Sequence, residues 1–174
     1  MININLFGGP GTGKSTTAAE LFSKMKSNQY KVELLQEYAK DLTYGKDTVR
    51  LSDQLHILGE QHHRLFRLQD SVDYVIHDSP FIMGLAYLDD TSIIPTKAFK
   101  TLTLELFHKY NNLNILLIRD TEKHPYQEYG RAHSLEEAEN KDKVIEQLLI
   151  DNAIPFIKIR VSTTTANDIL KNLK

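Results

Sequence analysis

The feature that most constrains the fold is a glycine-rich turn between an apolar segment and a helix-forming segment near the N-terminus. Residues 8–15 read GGPGTGKS and match the pattern G-x-x-x-x-G-K-[ST] at every fixed position. In this pattern glycines let successive amide N–H groups point inward, and the helix that follows adds unpaired donors and a positive dipole end. An ordinary glycine-rich turn is the alternative, but the flanking strand and helix patterns favour a phosphate-binding loop (P-loop).

The side chains of this loop predict how a nucleoside triphosphate and a metal ion would be bound. Lys14 can reach the β- and γ-phosphates, and the Ser15 hydroxyl can ligate Mg²⁺. The expected cofactors are therefore ATP and Mg²⁺. The predicted nucleotide-binding residues are Gly9, Gly11, Thr12, Gly13, Lys14, Ser15 and Thr16.

The rest of the chain alternates short apolar segments with helical patterns. Strands are expected at the N-terminus and around residues 32–36, 73–80, 113–120 and 155–161, with a long helix over 47–70 and a helix beginning at Pro80. Such alternation predicts a parallel sheet with right-handed crossovers. We therefore expect an α/β protein with the three-layer α/β/α P-loop NTPase fold, a five-stranded parallel sheet and a lid loop, in a single domain over residues 1–174.

Composition narrows the class of protein further. Hydrophobic residues make up 41% of the 174 residues and charged residues 25%, as in ordinary globular domains. The absence of cysteine excludes disulfides and thiolate metal sites. No apolar run reaches membrane-spanning length and no signal-peptide pattern is present, so we expect a cytoplasmic protein without a membrane partner. The formal charge of −2 provides no general attraction to nucleic acid.

Two carboxylates follow predicted strands and should meet the P-loop at the same edge of the sheet, where ligands of parallel sheets bind. Asp78 ends an apolar strand, so it can hold the metal ion or a metal-bound water; the alternative is that it only caps the next helix. Glu37 can accept a proton from an attacking hydroxyl or hold substrate hydroxyls. A solvated surface glutamate is the alternative for Glu37.

A long polar segment, TEKHPYQEYGRAHS, carries both proline and glycine and predicts a lid over about residues 120–134. Arg131 in this segment can fold over the γ-phosphate and stabilise transition-state charge, with Arg119 and Lys123 as possible assistants. The alternative is that Arg131 is simply a solvated charge.

The predicted long helix carries a polar strip beside its apolar stripe. Gln61 and Arg64, together with Gln54, lie on this strip and could read an amide or a base edge of the substrate. A solvated helix face is the alternative for each of them.

The P-loop and the segments LLQEYAKDL, DYVIHDSPF and YQEYGR together resemble the small P-loop kinases. Among these, the sequence is most similar to the AAA-type ATPase/kinase domain family that includes the nicotinamide riboside kinase domain. The resemblance implies Lys14 and Ser15 on the nucleotide and Mg²⁺, Glu37 and Asp78 near the acceptor hydroxyl, and Arg131 in the lid. It also implies an arginine at the position that Lys40 occupies here.

These observations predict an ATP-dependent kinase that transfers the γ-phosphate to a small-molecule acceptor of the nucleoside or nucleotide type, with Glu37 or Asp78 as the base. One alternative is a polynucleotide or DNA-base kinase, because some viral relatives of this shape phosphorylate a hydroxymethylated pyrimidine in DNA. Another is a P-loop NTPase switch that forms no phosphorylated product. The sequence lacks the guanine-reading Asn-Lys-x-Asp segment of many such switches.

Overall fold

A parallel β-sheet forms the centre of the computed structural model, which describes residues 1–88, 93–121, 126 and 134–173. The sheet has five strands in the order β2-β3-β1-β4-β5, and every pairing is parallel. The strands are Ile2–Phe7 (β1), Val32–Leu35 (β2), Tyr74–His77 (β3), Asn111–Ile118 (β4) and Ile157–Arg160 (β5). The predicted five-stranded parallel sheet is confirmed.

Helices cover both faces of the sheet and complete three layers. They are Lys14–Ser27 (α1), Tyr38–Tyr44 (α2), Thr48–Ser52 (α3), Gln54–Phe66 (α4), Thr96–His108 (α5), Leu135–Asp151 (α6) and Thr165–Leu170 (α7), with a 3₁₀-helix at Phe81–Ala86. On one face, Leu21 of α1 and Ile169 of α7 pack in one core with Ile4. On the other, Leu58, Phe107 and Ile145 of α4, α5 and α6 share a core with Phe7 and Val75.

The prediction of a single long helix over residues 47–70 is wrong, because the helix is interrupted at Asp53. The Asp53 side chain accepts hydrogen bonds from the N–H groups of Leu55 and His56, both at 3.1 Å. It thereby caps α4 and ends α3, although the apolar spacing runs on through the break. The short helix α2 was not predicted either; Leu42 is its only buried residue.

The predicted helix with Pro80 in its first position is also wrong. Pro80 is extended, with ψ of 148°, and precedes a 3₁₀-helix whose N-terminus has no side-chain cap. Asp78 bonds instead to Ser15, across the edge of the sheet. The chain turn after β3 therefore leaves the Asp78 carboxylate directed at the P-loop rather than at the following helix.

Asparagine side chains cross-link the buried middle of the sheet. Asn5 of β1 donates its amide hydrogens to the side-chain oxygens of Asn112 and Asn114 in β4, both at 2.9 Å. Asn114 in turn donates to the carbonyl of Pro155. These bonds satisfy polar groups that would otherwise be costly inside a sheet covered on both faces.

His77 lies in the same buried layer, beside Asn5 of β1 and Leu35 of β2. Its Nε2 atom has no hydrogen-bond partner among the described residues. Burial lowers the pKa of His77 to about 4. The folded protein therefore keeps this ring neutral at pH values where the unfolded chain is already protonated.

We expect the free energy of unfolding to fall as the pH is lowered from about 6.5 to about 4, by about 2 kcal/mol between pH 7 and pH 5 from His77 alone. The sign follows because the unfolded state takes up the proton first. Urea denaturation at the two pH values measures the effect, which His77→Leu should remove and the exposed control His108→Gln should not. An unchanged pH dependence in His77→Leu would show that other groups are responsible.

The predicted lid over residues 120–134 falls mostly outside the described residues, as do Lys123 and Arg131. The helix α6 begins directly after this segment with a capping box: the Ser134 hydroxyl accepts from the N–H of Glu137, and the Glu137 carboxylate accepts from the N–H of Ser134. Across the described ranges, no helix is both long enough and apolar enough to span a membrane.

Candidate active site

The P-loop joins the end of β1 to the start of α1. Gly11 and Gly13 adopt left-handed conformations, with φ of 75° and 94°, which side-chain-bearing residues rarely adopt. A Cβ atom at Gly13 would make only an ordinary van der Waals contact, at 3.4 Å, with the side chain of Val161, so the φ angle and not a lack of space disfavours a side chain. Glycine is therefore required at these positions for the loop to curl back onto the N-terminus of α1.

Lys14 lies against the inner side of this loop and is only 9% exposed. Its Nζ atom donates to the carbonyl oxygens of Gly8 and Gly9, at 2.7 and 3.0 Å. Lys14 forms no ion pair with any other residue that the structure describes. Its positive charge is therefore available to an anion that binds in the loop.

A direct hydrogen bond joins Ser15 to Asp78, which places both side chains where one metal ion could contact them. The Ser15 hydroxyl donates to Oδ2 of Asp78 at 2.7 Å. The other carboxylate oxygen, Oδ1, is buried and has no partner within the described part of the chain. An unpartnered buried carboxylate oxygen beside a hydroxyl suits Mg²⁺, which prefers oxygen ligands and keeps several of its waters. Ser15 and Asp78 therefore fit the metal-binding role.

Glu37 faces the same place from the end of β2. A cavity of about 150 Å³ is lined by residues of α1, β2, α2 and the end of β3: Ser15, Ala18, Ala19, Leu34, Gln36, Glu37, Lys40, Asp41, Tyr44 and Asp78. Burial raises the pKa of Glu37 and the Asp78 carboxylate acts in the same direction, whereas Lys14 and Lys40 oppose this shift. The structure thus brings Ser15, Glu37 and Asp78 to one cavity.

The two candidate substrate-reading residues of α4 lie in different surroundings. Gln61 donates to the carbonyl oxygen of Ser79 at 3.4 Å and so lies beside the end of β3. Arg64 bonds Glu60 at 2.9 Å and lies 4.7 Å above the ring of Tyr38. Arg64 lines a separate groove of about 270 Å³ along the edge strand β2. Gln61 therefore lies beside Ser79, the residue after Asp78, whereas Arg64 lies outside the cavity wall that contains Glu37.

Sequence reasoning missed the contact between Tyr87 and Lys141, and it also missed that Tyr87 lies close enough to Glu37 and Asp142 to sense their charges. The Nζ atom of Lys141 lies 4.4 Å from the Tyr87 ring centroid and donates to the Ala86 carbonyl at 2.8 Å. Burial raises the pKa of Tyr87, with further contributions from Glu37 and Asp142. No sequence pattern marks this pair, because it forms only when α6 packs on the 3₁₀-helix.

Comparison with solved structures finds the same fold in deoxyadenosine kinase from M. mycoides. The structure with bound dATP has a TM-score of 0.63 and 20% identity, over 98% of this chain and 97% of that chain. The structure with bound dCTP gives 0.61 and 18%, over 98% and 97%. The structure with dCMP and dCDP as products gives 0.60 and 17%, over 98% of both chains. At such identities the likeness shows the fold alone.

A family model described as an AAA domain matches residues 3–166, whereas no curated protein matches the sequence. The matched residues include the P-loop, Glu37, Asp78 and the segment of the predicted lid. It confirms the family resemblance drawn from the sequence. The chain thus belongs to the AAA domain family.

Proposed function

We propose that this protein is an ATP-dependent kinase that transfers the γ-phosphate to an acceptor of the nucleoside or nucleotide type. The observation that carries the proposal is the single cavity lined by Ser15, Glu37 and Asp78. This cavity places Glu37 beside the P-loop. Binding of the triphosphate and its metal ion would use Ser15 and Asp78, so the Glu37 carboxylate remains for an acceptor. The fold shared with a deoxyadenosine kinase supports the same reading.

The donor half of the site is formed by the P-loop. Lys14 would bind the β- and γ-phosphates, exchanging its bonds to the loop carbonyls for bonds to phosphate oxygens. Ser15 and Asp78 would hold Mg²⁺ directly or through its waters. Bound Mg²⁺ would supply charge neutralisation at the phosphate oxygens.

The acceptor half is assigned to Glu37. If Asp78 serves the metal ion, two carboxylates of the cavity remain, Glu37 and Asp41. The Asp41 side chain is 60% exposed and lies 3.8 Å from Arg64, so Glu37 is the natural proton acceptor. The acceptor hydroxyl would lose its proton to Glu37 as its oxygen bonds to the γ-phosphorus, and ADP would leave. A raised pKa suits this role, because a base is most effective when its pKa approaches the working pH.

A nucleic acid acceptor is the second candidate, because aromatic and basic side chains are exposed at and near the mouth of the cavity. Tyr44 lines the cavity and is 66% exposed, and Lys40, Lys46 and Arg50 are exposed on the same α2–α3 segment. Exposed aromatic and basic side chains are what single strands bind through base stacking and phosphate contacts. Asp41 and Asp47 in that segment reduce its net positive charge.

Transfer of label from γ-labelled ATP tests the proposal, with nucleosides, nucleotides and oligonucleotides containing hydroxymethyl pyrimidines as acceptors. Label on a small molecule would support the leading proposal, and label only on an oligonucleotide would support the second. Oligonucleotide binding should then weaken steeply with salt. ATP hydrolysis without any labelled acceptor, dependent on a protein partner, would instead indicate an NTPase switch.

Arg131 is proposed as the lid residue that stabilises the transferred phosphoryl group. We expect Arg131→Ala to lower kcat by roughly a hundredfold and to change the Kd for ATP little, because the contact would form in the transition state. The matched control is Lys143→Ala, an exposed cation on α6. Steady-state kinetics and calorimetry measure the two quantities. An equal loss in ATP binding would contradict a transition-state role.

A further inference from the structure

A partly buried ion pair contacts the outer side of the P-loop. Arg119 follows β4 and Asp142 lies on α6, and the Nε atom of Arg119 donates to Oδ2 of Asp142 at 3.0 Å. The Nη2 atom of Arg119 also donates to the carbonyl oxygen of Pro10 at 2.8 Å. Oδ1 of Asp142 accepts from the backbone N–H of Gly9. One side-chain pair therefore bonds two consecutive residues of the loop.

The close approach of α6 to the P-loop explains why residue 9 is a glycine, although the P-loop motif allows any residue at this position. Gly9 occupies a variable position of the pattern G-x-x-x-x-G-K-[ST], and its backbone is not in the left-handed region. A Cβ atom there would lie 2.7 Å from the Ala138 carbonyl oxygen and 2.7 Å from Oδ1 of Asp142. Glycine is thus required because α6 packs directly against the loop.

The pair is shielded from solvent, and its members flank the predicted lid in sequence. The side chains of Arg119 and Asp142 are 9% and 25% exposed, whereas those of Lys158 on β5 and Glu146 on α6, which also form an ion pair, are 53% and 33% exposed. Shielded charge-assisted hydrogen bonds constrain geometry more strongly than exposed ones. Arg119 precedes residues 120–134 and Asp142 follows them, so both sides of that segment are fastened to the P-loop.

We propose that Arg119 and Asp142 are positioning residues that hold the P-loop in its binding conformation and join it to the chain on both sides of the lid. The inference rests on the proposed function only in that the loop binds ATP. Lys14 restrains Gly8 and Gly9 from inside the loop, and the pair restrains Gly9 and Pro10 from outside. A loop ordered in advance loses less conformational entropy when the triphosphate binds.

Asp142→Asn tests the proposal, because it removes the charge that holds Arg119 and keeps the size of the side chain. We expect the Kd for Mg-ATP to rise roughly tenfold, as measured by calorimetry. Arg119→Gln should raise the Kd for Mg-ATP by a similar factor. The double variant should have a Kd little higher than that of either single variant, since the two residues act as a unit. The matched control pair, Glu146→Gln and Lys158→Gln, should leave the Kd unchanged.

Gly9→Ala provides an independent variant, because its methyl group would push α6 from the loop without altering any charge. It should weaken ATP binding in the same way. Arg119→Lys tests the same role if the other variants fail to fold. Lysine keeps the positive charge but lacks the two guanidinium nitrogens that bond Asp142 and Pro10. In the kinase assay the KM for ATP should rise, whereas the KM for the acceptor should not.

The outcomes separate the two proposals. If the folded variants bind ATP within twofold of the wild-type protein, the positioning role is overturned and the proposed function stands. A simultaneous rise in the KM values of ATP and acceptor would also overturn it, because that result indicates general destabilisation. If the wild-type protein binds no purine triphosphate in the presence of Mg²⁺, the proposed function fails and the positioning role fails with it.

Discussion

Lys14→Ala is expected to abolish phosphoryl transfer, with kcat/KM lower by roughly a thousandfold or more. The buried ammonium group of Lys14 is the positive charge of the P-loop and has no carboxylate partner among the described residues. Without it, the charge that develops on the transferred phosphoryl group loses its main side-chain counterpart. Transfer from γ-labelled ATP measures the effect.

The control for this experiment lies on the same helix. Lys24 of α1 is half-buried and pairs with Glu20 at 3.5 Å, so Lys24→Ala should retain wild-type activity. Circular dichroism should show that Lys14→Ala remains folded, because its side chain bonds only to carbonyls of its own loop. Activity of Lys14→Ala within tenfold of the wild type would refute the assignment of the triphosphate site to this loop.

Glu37→Gln is expected to lower kcat by about a hundredfold to ten-thousandfold, the usual range for loss of a general base. The amide has nearly the shape of the carboxylate but cannot accept the proton of the acceptor hydroxyl. The effect should fall on kcat, and the Kd for ATP should change little. Glu33→Gln is the matched control, since Glu33 lies on β2 as well and forms an exposed ion pair with Lys26.

The pH dependence of activity provides a second test of Glu37 as the general base. Because burial raises the pKa of Glu37 above its ordinary value of 4.5, activity should increase with pH along a limb whose midpoint lies above pH 4.5. The base must lose its proton before it can accept another, so activity declines on the acidic side. In Glu37→Gln this limb should be absent. A limb that persists unchanged would move the role of the base to Asp78.

Two consequences follow if Glu37 is the base. Asp78 is then left for the metal ion, in agreement with its bond to Ser15 and its unpartnered Oδ1. The identity of the acceptor would depend on the residues around Glu37, which include Lys40 and Tyr44 of α2. Substitutions in α2 should therefore alter the preference among acceptors more than they alter ATP binding.

Local patterns were sufficient for the architecture of the nucleotide loop. The glycine and lysine spacing of residues 8–15 specifies a strand-to-helix turn, and strands alternating with helices specify a parallel sheet. The rule that ligands bind beyond the carboxyl ends of parallel strands then predicts that Glu37 and Asp78 lie at the same edge of the sheet as the P-loop. These inferences succeeded because each rests on backbone geometry that a short segment fixes by itself.

The sequence alone determined the fold class, the P-loop and the edge of the sheet where the chemistry would lie. Only the tertiary structure decided which side chains meet there. Asp53 broke a helix that its apolar spacing predicted as continuous, Arg64 paired with Glu60, and Asp142 reached Gly9 from more than a hundred residues away. Periodicity reports which face of a helix is apolar, but such contacts depend on how separate elements pack, which no local pattern encodes.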